Sequence, residues 1–499
     1  MRLTASDFVS FYRPSRCDLR VFLRQRQEQE AEPGPYDEVL HRLGLRHEKD
    51  HLATLGAFAD MSAPSLQEQV EKTAVAVAKK VPILYQPAFS ADHVLGGTEV
   101  EIVGIPDFLI FDGGGYIIRD SKVSRRIDEK NHPEILLQVQ LYGWLLEKSS
   151  GAAPKALQIH SGTGDIGEVA YDGGKSALQE LGRLLTVKQL TAERYEPVGW
   201  SKCAGCGFHD RCWKKAEDSK DVSLVIGIDQ GLARKLHEIG TETIEKFLKK
   251  YDAASLNQLK RPYGKTERRV GAAAESILQC AEALHEKKEI VLATPAIPAS
   301  PNFVMFDLEG MPPHLDELDR IYLWGAQVFG ENPSEFMPAV SGFGPDGDRD
   351  GWLGFLANAK RIFENYGDIK FVHWATYEST YLGRYIDRYG DADGIATRVK
   401  ANLLNLLPVT QAAIVLPLPS YSLKVIEHYV DYKRKQDEYG GQWAMATFIE
   451  ATETSDEKKR KELMDKIIAY NREDLEATWA VFQWLKSKVP APKKSSQFP

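Results

Sequence analysis

Asp120-Ser121-Lys122 sets a carboxylate and an ammonium two residues apart, and Asp307-Leu308-Glu309 does the same with two carboxylates. On a strand, residues i and i+2 project from one face, so each pair presents its charges together. Upstream of the first pair, apolar–polar alternation predicts strands over 101–111 and 116–123. The turn between them, Asp112-Gly113-Gly114-Gly115, suits a hairpin because glycine tolerates positive φ. Such a hairpin would bring Asp107 to the face that carries Asp120 and Lys122. Converging carboxylates hold a divalent cation, and a neighbouring lysine positions or activates water. This is the equipment for metal-dependent hydrolysis of a phosphodiester.

The cysteines form a second constellation. Cys203-x2-Cys206-x5-Cys212 is compact, and Cys17 lies far upstream. Thiolates at such spacing suit an iron–sulfur cluster or zinc, and five cysteines in 499 residues do not describe a disulfide framework. Cys280 falls in a helical segment and reads as core. Two further motifs are set aside. His47-Glu48-Lys49-Asp50-His51 matches HExxH, but its charged Lys49 and Asp50 do not suit a helix buried under a zinc site, and no third ligand follows. Gly264-Lys265-Thr266 lacks the glycine five residues earlier that a phosphate loop needs, since position 259 is leucine.

These groups need elements to position them. The pattern predicts a multidomain α/β chain divided at 1–217, 218–290, 291–302 and 303–490. Helical spacing covers 134–148 and 175–185, with a strand at 156–160. From 221 to 287 the pattern is helical and locally basic, with Lys246, Lys249, Lys250, Lys260, Arg261, Lys265, Arg268 and Arg269. Within it, LHEIGTETIEKF at 236–247 fits a helix-hairpin-helix that grips DNA backbone, or equally a connector with a solvated basic face. Pro295, Pro298 and Pro301 mark a linker. Beyond it, strands are predicted at 303–307, 320–328 and 369–374, and a long helix at 457–486. Apolar residues make up 43% and charged residues 27%, as in globular proteins, and the net charge of −8 argues against a passive nucleic-acid coat. No apolar run of ~18 residues predicts a membrane span, and the N-terminus has no signal-peptide pattern, so a cytoplasmic protein is expected.

The first region resembles the RecB-like branch of the PD-(D/E)xK nucleases, which includes the CRISPR-associated exonucleases. The matching pieces are Gly44-Leu45-Arg46-His47, Pro106-Asp107, Asp120-x-Lys122 and Gln138-Val139-Gln140-Leu141-Tyr142. The resemblance implies that His47, Asp107 and Asp120 bind Mg²⁺ or Mn²⁺ and that Lys122 orients or activates water. Gln138 and Tyr142 would flank the site. It also implies that Cys17, Cys203, Cys206 and Cys212 hold a [4Fe–4S] cluster, with zinc as the alternative. The last region resembles the DEDD exonucleases of the RNase-H-like fold: Asp307-x-Glu309, then Tyr377-Glu378, then Tyr470-x3-Asp474. There Asp307, Glu309, Glu378 and Asp474 would bind metal and Tyr470 would align water. Glu378 departs from the family's usual aspartate by one methylene, enough to shift a ligand by about 1 Å.

Together the two resemblances imply a predicted RecB-family nuclease fused to a YprB-like domain, acting on single-stranded or end-containing nucleic acid, most simply as a DNA exonuclease in repair or defence. Lys249, Lys250, Arg268 and Arg269 are the expected phosphate contacts. Helicase motifs are missing from the sequence, so unwinding would fall to a partner. The rival reading is a DNA-binding adaptor with one or both sites inactive.

Overall fold

A computed structural model describes residues 1–264, 266–311, 319–343, 346–391, 393–436 and 440–488. Lys265 lies outside them. The chain forms two compact units, one of Met1–Glu196 with Ser201–Trp213, the other of Pro197–Trp200, Lys214–Met311 and the chain from Asp319 onward.

In the first unit the elements that matter are α1 (Pro35–Thr54), β1 (Thr98–Gly104), β2 (Phe108–Phe111), β3 (Tyr116–Ser121), α2 (Pro133–Ser150) and β4 (Ala156–His160). The tri-glycine turn does close a hairpin: β2 and β3 pair antiparallel, with Phe111 opposite Tyr116 and Phe108 opposite Arg119. From β3 the chain crosses over through α2 and returns as β4, parallel to β3, with Asp120 beside Ile159 and Ser121 beside His160. Proline at its first turn and Gly151 in the left-handed conformation (φ 76°) bound α2. Its buried face, with Ile135, Val139, Tyr142 and Leu145, packs into the unit's core.

The single strand expected over 101–111 is in fact two. β1 belongs to a three-stranded sheet between Arg2–Thr4 and Phe89–Leu95, whereas β2 belongs to a six-stranded sheet. The break falls at Ile105-Pro106-Asp107, where proline has no N–H to give a ladder. This break puts Asp107 at a strand end. Just before it, a Cβ on Gly104 would lie 2.6 Å from Leu145 and 2.7 Å from Tyr142, so only glycine lets α2 lie this close.

The second unit opens with α3 (Gln230–Glu238) and α4 (Ile244–Lys250), joined through Gly240 at φ 74°. The helical pattern expected through to 287 is interrupted by a β-hairpin, β5 (Lys260–Tyr263) with β6 (Thr266–Arg269), before the helix Ala274–Glu286 resumes. These short strands pair basic residues across from one another (Lys260 with Arg269, Arg261 with Arg268), a repulsion partly met by Asp229, 2.6 Å from Arg261. A core of Val222, Leu232, Leu236, Ile244, Phe247 and Ile277 holds this part together.

The remainder is a five-stranded sheet ordered Met337–Val340, β8 (Ile321–Gly330), β7 (Asn302–Gly310), β9 (Phe371–His373) and Leu403–Asn405. β7 is central and runs Phe303-Val304-Met305-Phe306, apolar on both faces, as a strand covered on both sides must be. Against it pack α5 (Tyr377–Tyr389), α6 (Leu423–Tyr429) and α7 (Glu457–Ser487). Replacing Gly104 with alanine forces α2 away from β1. The Gly104→Ala chain is expected to lose about 1–3 kcal/mol, the usual cost of overpacking, seen as a lower first thermal transition; an unchanged transition would show that the close approach is dispensable.

Candidate active sites

The first site assembles around the end of β3. Asp120 is fully buried there, and Lys122 follows on the same side, its Nζ 2.5 Å from Asp120 Oδ2. Asp107 arrives from the Pro106 break. Its Oδ2 accepts the Ser121 N–H at 2.7 Å, and its own N–H approaches Asp120 Oδ1 at 3.4 Å. Two carboxylates so close resist joint ionisation. Burial and the Asp120 charge push Asp107 well above the usual carboxylate range, against the opposing pull of Lys122. Burial would drain the Lys122 proton, but the Asp120 and Asp107 charges outweigh it and hold the ammonium above its ordinary value. On α2, Gln138 Nε2 donates to the Tyr142 hydroxyl at 2.7 Å, and burial followed by the Asp120 charge keeps that phenol protonated.

Helix α1 supplies more than His47. The His47 ring stacks on His160 of β4 at 4.4 Å, and the His51 ring stacks on the same His160 at 3.8 Å. Burial, with Arg119 and His47 beside it, takes His51 down to about 4; burial and the other two histidines take His160 down to about 4. The i, i+4 pair of the HExxH pattern therefore does share a face, but that face carries an imidazole stack, with His160 Nδ1 3.0 Å from Ser121 Oγ. His47 Nε2 is buried and makes no hydrogen bond among the described residues, which leaves a lone pair suited to a metal. Glu48, one residue on, belongs to the HExxH pattern, and no sequence spacing ties it to Asp107. It accepts from Tyr85 Oη at 2.8 Å and from Gln86 Nε2 at 2.7 Å, and the same amide reaches Asp107 Oδ1 at 3.4 Å. Its charge acts on both Asp107 and Lys122. By donor type the carboxylates of Asp107, Asp120 and Glu48 with the His47 nitrogen suit Mg²⁺ or Mn²⁺, but no three of them bring ligand atoms within 4.8 Å of one another.

In the second unit, Asp307 and Glu309 of β7 meet Asp474 of α7, with one oxygen of each lying within 4.8 Å of the others. A divalent cation fits this all-oxygen set. Asn471, one turn before Asp474, donates to Asp307 Oδ2 at 2.7 Å. It lies so close to β8 that a Cβ on Gly325 would sit 1.8 Å from Asn471 Oδ1, so glycine is required there. Tyr470 is buried and hydrogen-bonded to Asp474, its phenol kept protonated by burial and by Glu309. Glu378, at the start of α5, adds its charge to Asp307, but its Oε2 lies 3.0 Å from His373 Nδ1, and it is not one of the three converging acids. Two cations that no sequence spacing marks also touch Asp474. Lys424 Nζ lies 2.5 Å from Asp474 Oδ1, and Arg434 donates to the same oxygen.

The cysteines come together within the first unit. Cys17 caps the helix Asp18–Gln25, Cys203 ends a short helix, and Cys212 lies in another. Burial pushes the Cys17 thiol up to about 12, and Cys206 is among the charges it feels; burial also raises Cys212, which feels Cys203 and Cys206. No three of the four sulfurs close within 4.8 Å of one another. By donor type, four thiols suit an iron–sulfur cluster or zinc. The four residues named for phosphate contact differ in setting. Lys249 pairs with Glu245 at 2.6 Å, and Lys250 donates to the Ile239 carbonyl and to Thr241 across the α3–α4 turn. Arg268 and Arg269 are exposed on β6.

Comparison with known proteins agrees with this geometry. A model of the PD-(D/E)XK nuclease superfamily matches residues 11–213, and one of the RNase H superfamily matches 304–486. The chain carries one domain of each superfamily, and it is a nuclease of mixed α/β fold. No curated protein matches it. Among solved structures, SSO0001 is 17% identical over 43% of this chain and 86% of its own, with a TM-score of 0.24. A candidate exonuclease from Eubacterium rectale is 14% identical over 38% of this chain and 83% of its own, with a TM-score of 0.26. Likenesses this slight carry no argument.

Burial and the Asp474 charge raise Glu309 to about 8. In the unfolded chain a glutamate titrates near ~4.3. Between those values the unfolded chain loses a proton that the folded metal-free chain keeps, so folding weakens as pH rises from ~4.3 to ~8. A cation must displace that proton, so its affinity climbs over the same range. Calorimetry of Mn²⁺ with the chain should show second-site binding tightening more than about tenfold from pH 6 to pH 8, with proton release; equal affinity at both pH values would refute the protonated Glu309.

Proposed function

We propose that this protein is a Mg²⁺- or Mn²⁺-dependent exonuclease on single-stranded or end-bearing DNA, with two active sites and a [4Fe–4S] cluster, serving repair or defence alongside a helicase or similar partner. The observation that carries the reading is the meeting of Asp107 and Asp120 against Lys122, because like charges brought together in a buried corner are stabilised when a cation binds. Bound there, a divalent cation would polarise the phosphodiester and lower the pKa of water. The chain's own groups do the rest. Lys122, kept charged by its neighbours, faces the developing negative charge on the phosphate. Gln138 and the protonated Tyr142 flank the substrate, and Ser121 N–H holds Asp107 in place.

In the second unit Asp307, Glu309 and Asp474 would hold the cation, Tyr470 would align water, and Glu378 would contribute its charge from beside His373. This unit is assigned 3′-to-5′ release of mononucleotides. For DNA, the exposed Arg268 and Arg269 with Lys260 offer phosphate contacts on a hairpin, and the exposed Tyr263 lies between Arg261 and Arg268, ring centroid 5.5 and 5.4 Å from their guanidinium carbons. Lys249 would have to leave Glu245 to reach a phosphate, and Lys250 serves the α3–α4 turn.

End-labelled single- and double-stranded substrates in Mn²⁺ test the assignment. Lys122→Ala should abolish one product pattern and Asp307→Asn the other, each by about 10³-fold or more, and the chain with both changes should be silent. Residual activity in that double variant would overturn both site assignments. Independently, protein purified without oxygen should be brown, absorbing broadly near ~400 nm, and Cys203→Ala should lose both the colour and stability in the first unit. Colourless protein with stoichiometric zinc would refute the cluster.

A further inference from the structure

The second site is not built like a symmetric cage for two metal ions. Of the four carboxylates that such a cage would use, Glu378 is engaged by His373 at 3.0 Å, with both side chains buried. Asp474 is engaged twice. Lys424 lies 2.5 Å from its Oδ1, and Arg434 donates to the same atom. Arg434 did not drift there. Its side chain is 3% exposed, and its guanidinium is clamped from behind by Glu427, 0% exposed, through two hydrogen bonds of 2.7 and 2.8 Å. A fork-on-fork pair buried in this way fixes the guanidinium plane, so the positive charge stays at Asp474 whatever else binds. Lys424 is on α6, three residues before Glu427, so one helix carries both the ammonium and the anchor of the guanidinium. The ammonium also lies 4.8 Å from the ring centroid of Tyr470, the residue assigned to align water.

The charges can be balanced. Arg434 and Glu427 cancel. Asp307, Glu309, Asp474 and Glu378 against Lys424 leave three negative charges, and one divalent cation brings the pocket to a single negative charge. A second would leave the pocket with a net positive charge in a setting where little water screens it.

We infer that the second active site binds a single divalent cation, held among Asp307, Glu309 and Asp474, and that Lys424, set against Asp474 by the anchored Arg434, supplies the second positive charge that a two-metal site would draw from another ion. The inference rests on reading this unit as a metal-dependent nuclease site. It gives Lys424 a role at the phosphate and Arg434 a positioning role, and it assigns this unit a different electrostatic construction from that of a four-carboxylate site.

The test counts ions and needs no turnover. Bound Mn²⁺ is measured by equilibrium dialysis, and by electron paramagnetic resonance of the bound fraction, on the full chain and on the chain carrying Asp307→Asn with Glu309→Gln. Ions held in the first unit are common to both and cancel. A difference of one ion supports the inference. A difference of two overturns it while leaving the metal-dependent reading of the site intact, and no difference overturns that reading itself. Lys424→Met provides a check that does not depend on the acidic variants, and Lys424 is about one-third exposed, so the fold tolerates its loss. Removing its charge should admit a second ion, raising the count by one and adding spin-coupling features to the spectrum. A count unchanged by Lys424→Met would overturn the role given to Lys424.

Discussion

The rest of this structure depends on holding carboxylates together against their own repulsion. At separations of a few ångströms inside a protein, two like charges repel by several kcal/mol unless a counter-charge lies beside them. The chain meets this constraint twice. In the first unit Lys122 lies against Asp120, and the raised Asp107 keeps its proton when no other cation is there. In the second, Asp307 and Glu309 are both held up by burial and by Asp474, whose own charge is met by Lys424 and Arg434. Repulsion of this kind is a store of affinity for a divalent cation, and it sets what the scaffold must do.

In each unit the scaffold holds these groups on sheet strands and on helices packed against them. Asp120 and the pair Asp307/Glu309 are on strands inside sheets, where the backbone cannot relax to let the charges part. The partners come from a chain break or a helix: Asp107 from the interruption at Pro106, Asp474 and Asn471 from the long C-terminal helix. Close approach is secured by glycines where any side chain would intrude, Gly104 against α2 and Gly325 against Asn471. Both are packing requirements with a direct effect on site geometry.

The two units differ in how they supply positive charge. The first offers an imidazole stack of His47, His51 and His160, in which burial and neighbouring charges lower His51 and His160, and a single lysine. The second has a lysine and an anchored arginine, and no imidazole among its three converging acids. Neutral nitrogen ligands suit a metal directly, whereas fixed cations compete with one. The two acidic clusters of the chain therefore differ in electrostatic construction.

The pairs legible in the sequence are those whose chemistry and spacing are local. Asp120-x-Lys122 and Asp307-x-Glu309 share a strand face because the side-chain period of a strand is two, and the tri-glycine turn and long helices follow from backbone preference. The break at Pro106 is also written in the sequence, in a residue without an N–H, though alternation alone reads across it. What only the tertiary structure decided is which distant groups meet these pairs. Glu48 reaches Asp107 through Gln86, His160 comes in on a parallel strand after a helical crossover, and Arg434 is aimed at Asp474 by Glu427. The same holds for the basic hairpin at 260–269, whose residues show no alternation and whose pairing comes from the fold around it. Period and turn chemistry act over a few residues, while a counter-charge is chosen by packing across the whole unit, so the sequence by itself determined the acids and the tertiary structure determined what neutralises them.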